Sequence, residues 1–315
     1  MKLVCTLVLI VLTGCGKVGG VSVDSPPATL NSDLEKTLWD VDQQWLCSGP
    51  YMKSYKDCVE FRSKYWVDQF FEVIPNGDLL NKQEMVETQS ARIPANPDPQ
   101  TAPYPDAFKL RAVYGDFAMA TDHTYFKSLD KNGNYTFTSA SKVLRLFVKD
   151  QGTWRPAAAG LVPTILPTTS APIDHSKTSR AKHDPQLEKQ LAEIDRAWMD
   201  SSDMKRRVNY VSKLFMNDWF EILGWDPTGN TTKETAIRAL SRFAETNAPP
   251  GVVADQFQLQ AIFGDVALAS DRRTRTWKNE KGQMVKTPHR SILVFVKQNG
   301  EWMSAGASLT PIQVP

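Results

Sequence analysis

The stretch AVYGDFAMATD at 112–122 returns as AIFGDVALASD at 261–271, one point in a repeat that runs along most of the chain. Leu34-Glu35-Lys36 matches Leu187-Glu188-Lys189, Asp42 and Trp45 match Asp195 and Trp198, and Phe71-Glu72-Val73-Ile74 matches Phe220-Glu221-Ile222-Leu223. LFVKDQGTW at 146–154 matches LVFVKQNGEW at 293–302, and Pro163 matches Pro311. The offset drifts from 153 to 148, so only small loop insertions separate the copies. A unit of roughly 130 residues used twice is too long for a solenoid repeat. The chain must therefore fold as two copies of one domain, at 31–163 and 185–315. Between them, 164–184 is rich in Pro, Ser and Thr and reads as a linker.

Each copy opens with helical spacing. Leu34, Leu38, Val41 and Trp45 fall on one face, as do Leu187, Leu191, Ile194 and Trp198. Second helices are expected near 52–66 and 204–217, and short third ones near 81–90 and 232–245. Strand-like alternation follows at 108–114, 117–126, 135–149 and 154–161, with hairpin turns at Lys131-Asn132-Gly133-Asn134 and Asp150-Gln151-Gly152. Helices first and an antiparallel meander after them make an α+β domain.

This order, with Gly-Asp before an Ala-x-Ala strand and a closing Phe-Val-Lys-x-x-Gly-x-Trp hairpin, resembles the nuclear transport factor 2-like superfamily. Within it, the SnoaL-like, ketosteroid-isomerase-like branch is the nearest in pattern. The resemblance implies two tandem cone-shaped domains, each with about three helices on a strongly curved antiparallel sheet. It implies no single activity, because fold does not fix function. Family enzymes work inside the cone, using a carboxylate or a His–Asp pair for proton transfer.

Several residues are candidates for such a cone. Ala118, Ala120 and Asp122 share a strand face, as do Ala267, Ala269 and Asp271. Lys142, Leu144, Leu146 and Val148 share another, matched by Arg290, Ile292, Val294 and Val296, and both faces are assigned to the cone lining. Asp122 with Lys142, and Asp271 with Arg290, would then be polar pairs in the pocket. The plainer reading is a cross-strand ion pair near the sheet rim. Asp122, His123 and Tyr125 are the one place where acid, imidazole and phenol cluster, but neighbours on a strand point to opposite faces, which leaves His123 turned to solvent. Trp45, Trp66, Phe70, Trp198 and Trp219 could line an apolar pocket or simply fill the core. The opposite faces carry Phe117, Met119, Val143 and Phe147, and Val266, Leu268, Leu293 and Phe295, so the two sheets are expected to pack on each other as an intrachain pseudo-dimer.

Charge bounds the partners. With 37 Lys plus Arg against 35 Asp plus Glu, nothing suggests a nucleic-acid binder. His123, His175, His183 and His289 are scattered, so neither a metal nor any other cofactor is expected. The expected function is binding of a small apolar molecule or an envelope protein without catalysis. The alternative is an isomerase, cyclase or dehydratase working in the first cone.

The first 14 residues, MKLVCTLVLIVLTG, read as a secretory signal. Leu12-Thr13-Gly14-Cys15 resembles the bacterial lipobox, which implies lipidation of Cys15, a tether over 15–30 and a membrane anchor. Gly16 rather than Asp after the cysteine resembles the sorting pattern for the outer membrane, with the protein facing the periplasm. Processing removes Cys5 and acylation uses Cys15. Cys47 and Cys58, with ten residues between them, are left in an oxidising compartment and are expected to form one disulfide. Cys15→Ser should yield an uncleaved or soluble product on fractionation; a variant that stays processed and membrane-bound would show that no lipid is attached there.

Overall fold

The computed structural model describes residues 31–47, 54–91, 104–129, 132, 134–165, 184–199, 204–223, 230–246, 251–278 and 283–313. Cys15, the signal, the tether and most of the linker lie outside them.

The first half runs α1 (Ser32–Leu46), α2 (Tyr55–Tyr65), β1 (Phe71–Val73), β2 (Leu79–Asn81), α3 (Lys82–Ser90), β3 (Tyr104–Tyr114), β4 (Phe117–Leu129), β5 (Tyr135–Asp150) and β6 (Thr153–Ile165). The second repeats the order as α4 (Pro185–Met199), α5 (Met204–Leu214), β7 (Phe215–Leu223), β8 (Asn230–Thr232), α6 (Lys233–Thr246), β9 (Gly251–Phe263), β10 (Val266–Lys278), β11 (Met284–Gln298) and β12 (Glu301–Pro311). Each half is α+β, three helices on one six-stranded sheet, in the orders β2-β1-β6-β5-β4-β3 and β8-β7-β12-β11-β10-β9. The sheets are mixed rather than wholly antiparallel, because β1 pairs parallel with β6 and β7 with β12. The expected helix over 204–217 ends at Leu214, and Phe215 opens a strand.

Helix positions follow from local chemistry. Asn31 caps α1, its side chain accepting from the Asp33 and Leu34 amides. Asn81 and Glu84 form a capping box on α3. Glu35 on α1 accepts from the Leu110 amide at 2.8 Å, and Glu188 on α4 accepts from the Leu259 amide at the same distance. Both sites adjoin register shifts in the outer strands, so the glutamate satisfies an edge amide and pins the helix across the sheet. Cys47 and Cys58 are disulfide-bonded and tie the end of α1 to α2. The second half holds its matching helices without a disulfide.

The register settles which faces go where, and it corrects the sequence reading of β5 and β11. Phe117 lies opposite Val148, Met119 opposite Leu146 and Asp122 opposite Val143. Phe147 packs edge-on against Trp45 of α1 at 6.0 Å, so Phe147, Arg145 and Val143 face the helices. In the second half, Leu293 and Phe295 join Leu191 and Ile194 of α4 in one apolar cluster. Leu144, Leu146, Val148, Ile292, Val294 and Val296, assigned to the cones, lie instead in the cluster that also holds Phe117, Met119, Val266 and Leu268. Both faces of these strands are apolar because both are covered, so alternation alone does not distinguish them.

The halves meet along these outer faces. Thr310 donates to the Leu161 carbonyl at 2.9 Å, Tyr114 donates to Asp218 at 2.7 Å, and the Ile262 amide donates to Gln69 at 3.1 Å. Phe117 stacks on Phe263 with 6.5 Å between centroids. The tightest approach is at Gly160, where an added Cβ would overlap Ser308 Oγ. Gly160 and Ser308 are matching residues of the two copies, so a pseudo-two-fold axis passes between them. Gly160→Ser should lower stability by about 1–3 kcal/mol through overpacking. Adding Ser308→Gly, which exchanges the pair across the axis, should restore most of it in thermal melts. Equal melting of Gly160→Ser and wild type would mean the sheets do not approach this closely.

Candidate functional site

Each cone holds a buried charge cluster. In the first, Arg145 of β5 donates through Nε to Asp122 of β4 at 2.8 Å and through Nη2 to Thr124 at 2.9 Å. Its guanidinium lies 4.5 Å from the Trp45 ring centroid, and its Nε is 3.0 Å from Asp42 of α1. Asp42 is 0% exposed, and Asp122 and Arg145 are 1% exposed. Glu72 on β1 and Arg62 on α2 complete the ring of charges, and Arg62 donates to the Trp45 carbonyl at 2.7 Å.

The second cone repeats the arrangement with its cation on another strand. Arg273 of β10 donates to Asp271 at 2.7 Å and to Asp195 of α4 at 2.7 Å, and it lies 5.2 Å from the Trp198 ring. Position 273 matches Thr124 of the first copy, and position 145 matches Leu293 of the second. The guanidinium has thus changed strands while the carboxylates, Trp45 and Trp198 kept their places. Glu221 sits 3.8 Å from Arg273 and 3.7 Å from Arg275. His289 of β11 lies opposite Arg273 in the register. Burial first, then Arg275, holds its imidazole down to about 4, so it is neutral at neutral pH.

These carboxyls are perturbed by desolvation above all. Burial raises Asp42 and Asp195 well above the usual range, against the pull of Arg145 and Arg273 respectively, with Asp122 and Asp271 adding to the rise. Burial pushes Glu72 up to about 7. Perturbed carboxyls in a cone would suit general acid–base work if a substrate reached them. None of Asp42, Asp122, Arg145, Asp271 or Arg273 is more than 1% exposed, so almost none of their surface is open even to water.

The candidates from the sequence separate on the structure. Asp122 and Asp271 enter the cones. His123 lies on the opposite, outer face, opposite Lys142, with its side chain 45% exposed and 3.7 Å from Asp106. Tyr125 shares that face, its ring 6.5 Å from His123 and 5.3 Å from Phe137. Asp122 therefore lies on a different face of β4 from His123 and Tyr125. Lys142 and Arg290 are also outside the cones, Arg290 lying opposite Arg272, so neither pairs with Asp122 or Asp271. Trp45, Trp66 and Phe70 pack on one another, with Trp66 and Phe70 stacked at 4.1 Å. Trp219 donates to Ser304 at 3.1 Å and Trp198 to Asp195 at 3.3 Å. Asp42 and Arg145 were missed as site residues, although Asp42 matches Asp195 and Arg145 interrupts an apolar strand.

An open groove of about 740 Å³ lies between the halves on the pseudo-two-fold. Its lining comes in matched pairs, Tyr114 with Phe263, Phe117 with Val266, and Val148 with Val296. The Gly-Asp turns at 115–116 and 264–265 flank it, each locked by a 2.7 Å hydrogen bond from the Lys149 or Lys297 amide to the aspartate carbonyl. Among the described residues no cluster of His, Cys, Asp and Glu could hold a metal ion, and no helix is long and apolar enough to cross a membrane.

No protein-family model matches the chain, and no curated protein matches it. Its structural neighbours include NTF2-like proteins. One from Cytophaga hutchinsonii is 19% identical over 41% of this chain and 100% of its own, with TM-score 0.33. Another, of unknown function, from Pseudomonas putida is 15% identical over 40% and 87%, with TM-score 0.32. A protein with a cystatin-like fold from Caulobacter vibrioides is 14% identical over 40% and 89%, with TM-score 0.33.

The strand change of the guanidinium gives a direct test. Arg145→Leu alone should cost about 3–5 kcal/mol by leaving buried carboxyls without their cation. Arg145→Leu with Thr124→Arg, which copies the second cone into the first, should recover most of that in denaturant titrations. No recovery would mean the two clusters are not equivalent.

Proposed function

We propose that this is a lipid-anchored cell-envelope protein that binds without catalysis, and that it takes a small, mainly apolar ligand in the groove between its halves. The observation that carries this reading is the burial of both charge clusters. Asp42, Asp122 and Asp271 are at most 1% exposed and stand against buried guanidinium groups. The groove, by contrast, is open, lined by apolar residues such as Phe117, Phe263, Val148 and Val296 together with charged ones, and of a volume ordinary for a small-molecule site. The two halves act here as a pseudo-dimer, each supplying one wall. Anchoring through Cys15 on the outer membrane, facing the periplasm, completes the proposal.

A second reading, proton transfer in the first cone, has one observation in its favour: Glu72 is held near neutrality at about 7. The two readings separate by experiment. The mature chain, immobilised and exposed to an envelope extract, should retain a small molecule identified by mass spectrometry. Phe263→Glu, in the groove, should release it, while Glu72→Gln should not. Retention lost with Glu72→Gln and kept with Phe263→Glu would move the site into the cone. Retention of no small molecule at all would overturn ligand binding.

A further inference from the structure

The two matching helix carboxyls are not treated alike. Asp195 Oδ1 accepts from Arg273 Nη2 at 2.7 Å and from Trp198 Nε1 at 3.3 Å. Asp42, its counterpart, accepts no hydrogen bond on either oxygen. Arg145 Nε is only 3.0 Å from Asp42 Oδ1, but its single hydrogen is directed at Asp122 Oδ2. A carboxylate there would lose its hydration and every hydrogen bond together, which an ionised group does not tolerate. Asp42 Oδ1 and Asp122 Oδ2 both stand against Arg145 Nε, at 3.0 and 2.8 Å, so the two carboxyls are neighbours. Two carboxylates are acceptors only, so a hydrogen bond between them requires a proton.

Charge counting agrees. The charged groups turned toward Asp42 are Asp122 on β4 and Arg145 on β5; Arg145 also faces Glu72 on β1, and Glu72 faces Arg62 on α2. Three carboxyls face two guanidinium groups, and one proton makes the cluster neutral. We propose that the first cone is a proton-binding site in which Asp42 remains a neutral acid at neutral pH and donates its O–H to Asp122. Burial, which outweighs the opposing pull of Arg145 and is reinforced by Asp122, holds the Asp42 carboxyl well above its usual range.

The consequence for stability has a definite sign. A carboxyl raised on folding binds a proton in the native state that the unfolded chain has already released. Its contribution is fully present below the unfolded value near 3.8 and is lost as pH rises toward the native value. Over that window the unfolding constant grows about tenfold per pH unit for this one proton. Glu72, raised from 4.5 to about 7, works in the same direction but stops near 7.

The test uses denaturant unfolding of the mature chain between roughly pH 5 and pH 8. Asp42→Asn keeps a donor toward Asp122, so it should fold and should reduce the pH slope by about one proton across the whole window. Glu72→Gln should reduce it only below about 7. Asp42→Asn together with Asp122→Asn should be far less stable than either single variant, because Arg145 then has no carboxylate partner within the dyad. A wild-type slope in Asp42→Asn, or a slope abolished over the whole window by Glu72→Gln, would overturn the assignment. Should Asp42→Asn fail to fold, carbon NMR of the wild-type chain labelled at aspartate carboxyls decides. The Asp42 carbon should hold a protonated-acid shift from pH 5 to pH 8, and an ionised shift at neutral pH would refute the proposal.

Discussion

Covering both faces of each sheet is the constraint from which most of this architecture follows. One face takes the helices, and the other takes the sister sheet. Leu144, Leu146 and Val148 therefore alternate with Val143, Arg145 and Phe147 in a strand whose every residue from 143 to 148 is buried. A strand of this kind has no solvent face to carry polar residues. Small side chains are required where the sheets come closest, as at Gly160, and again at Gly306, where a Cβ would stand 2.6 Å from Met119 Cε. Surface buried in this way stabilises by roughly 25 cal/mol per Å², so the contact between sheets contributes to stability on the same basis as either cone.

Within the cones, burial of charge sets a different condition. A guanidinium with about 1% exposure is tolerated only if hydrogen-bonded carboxylates surround it. Arg145 meets that condition through Asp122, with Thr124 beside it, and Arg273 through Asp271 and Asp195, from different strands and each over a tryptophan ring. What the two copies preserve is a charge at a place in space, with the residue position free to change. The same burial leaves almost none of the surface of Asp42, Asp122 and Asp271 open to water.

The sequence made the larger organisation legible. The repeat revealed two copies, the 3.6-residue spacing placed α1 and α4, and the redox argument paired Cys47 with Cys58, which the structure joins. Three-residue strands such as β1 and β2 carry too few positions to show a period, and they were missed. Strand faces were misassigned on β5 and β11 because alternation between two apolar faces holds no sign. The cross-strand register, with Phe117 opposite Val148, supplies it. Arg145 was the visible clue, a charge inside an apolar run.

Gly160 and Ser308 show what joining two copies in one chain permits. In a dimer of identical subunits, a residue on the axis meets its own twin, and every substitution there is made on both sides at once. Two serines at this point would collide, and two glycines would leave a gap and forgo a contact. A single continuous chain escapes that coupling: one side keeps the smallest residue, and the other grows into the space. The groove at the pseudo-two-fold inherits the same freedom, with Tyr114 on one wall where Phe263 stands on the other, and Phe117 where Val266 stands. Its two walls are alike enough to pack as a pair, yet nothing obliges a change on one wall to be repeated on the other.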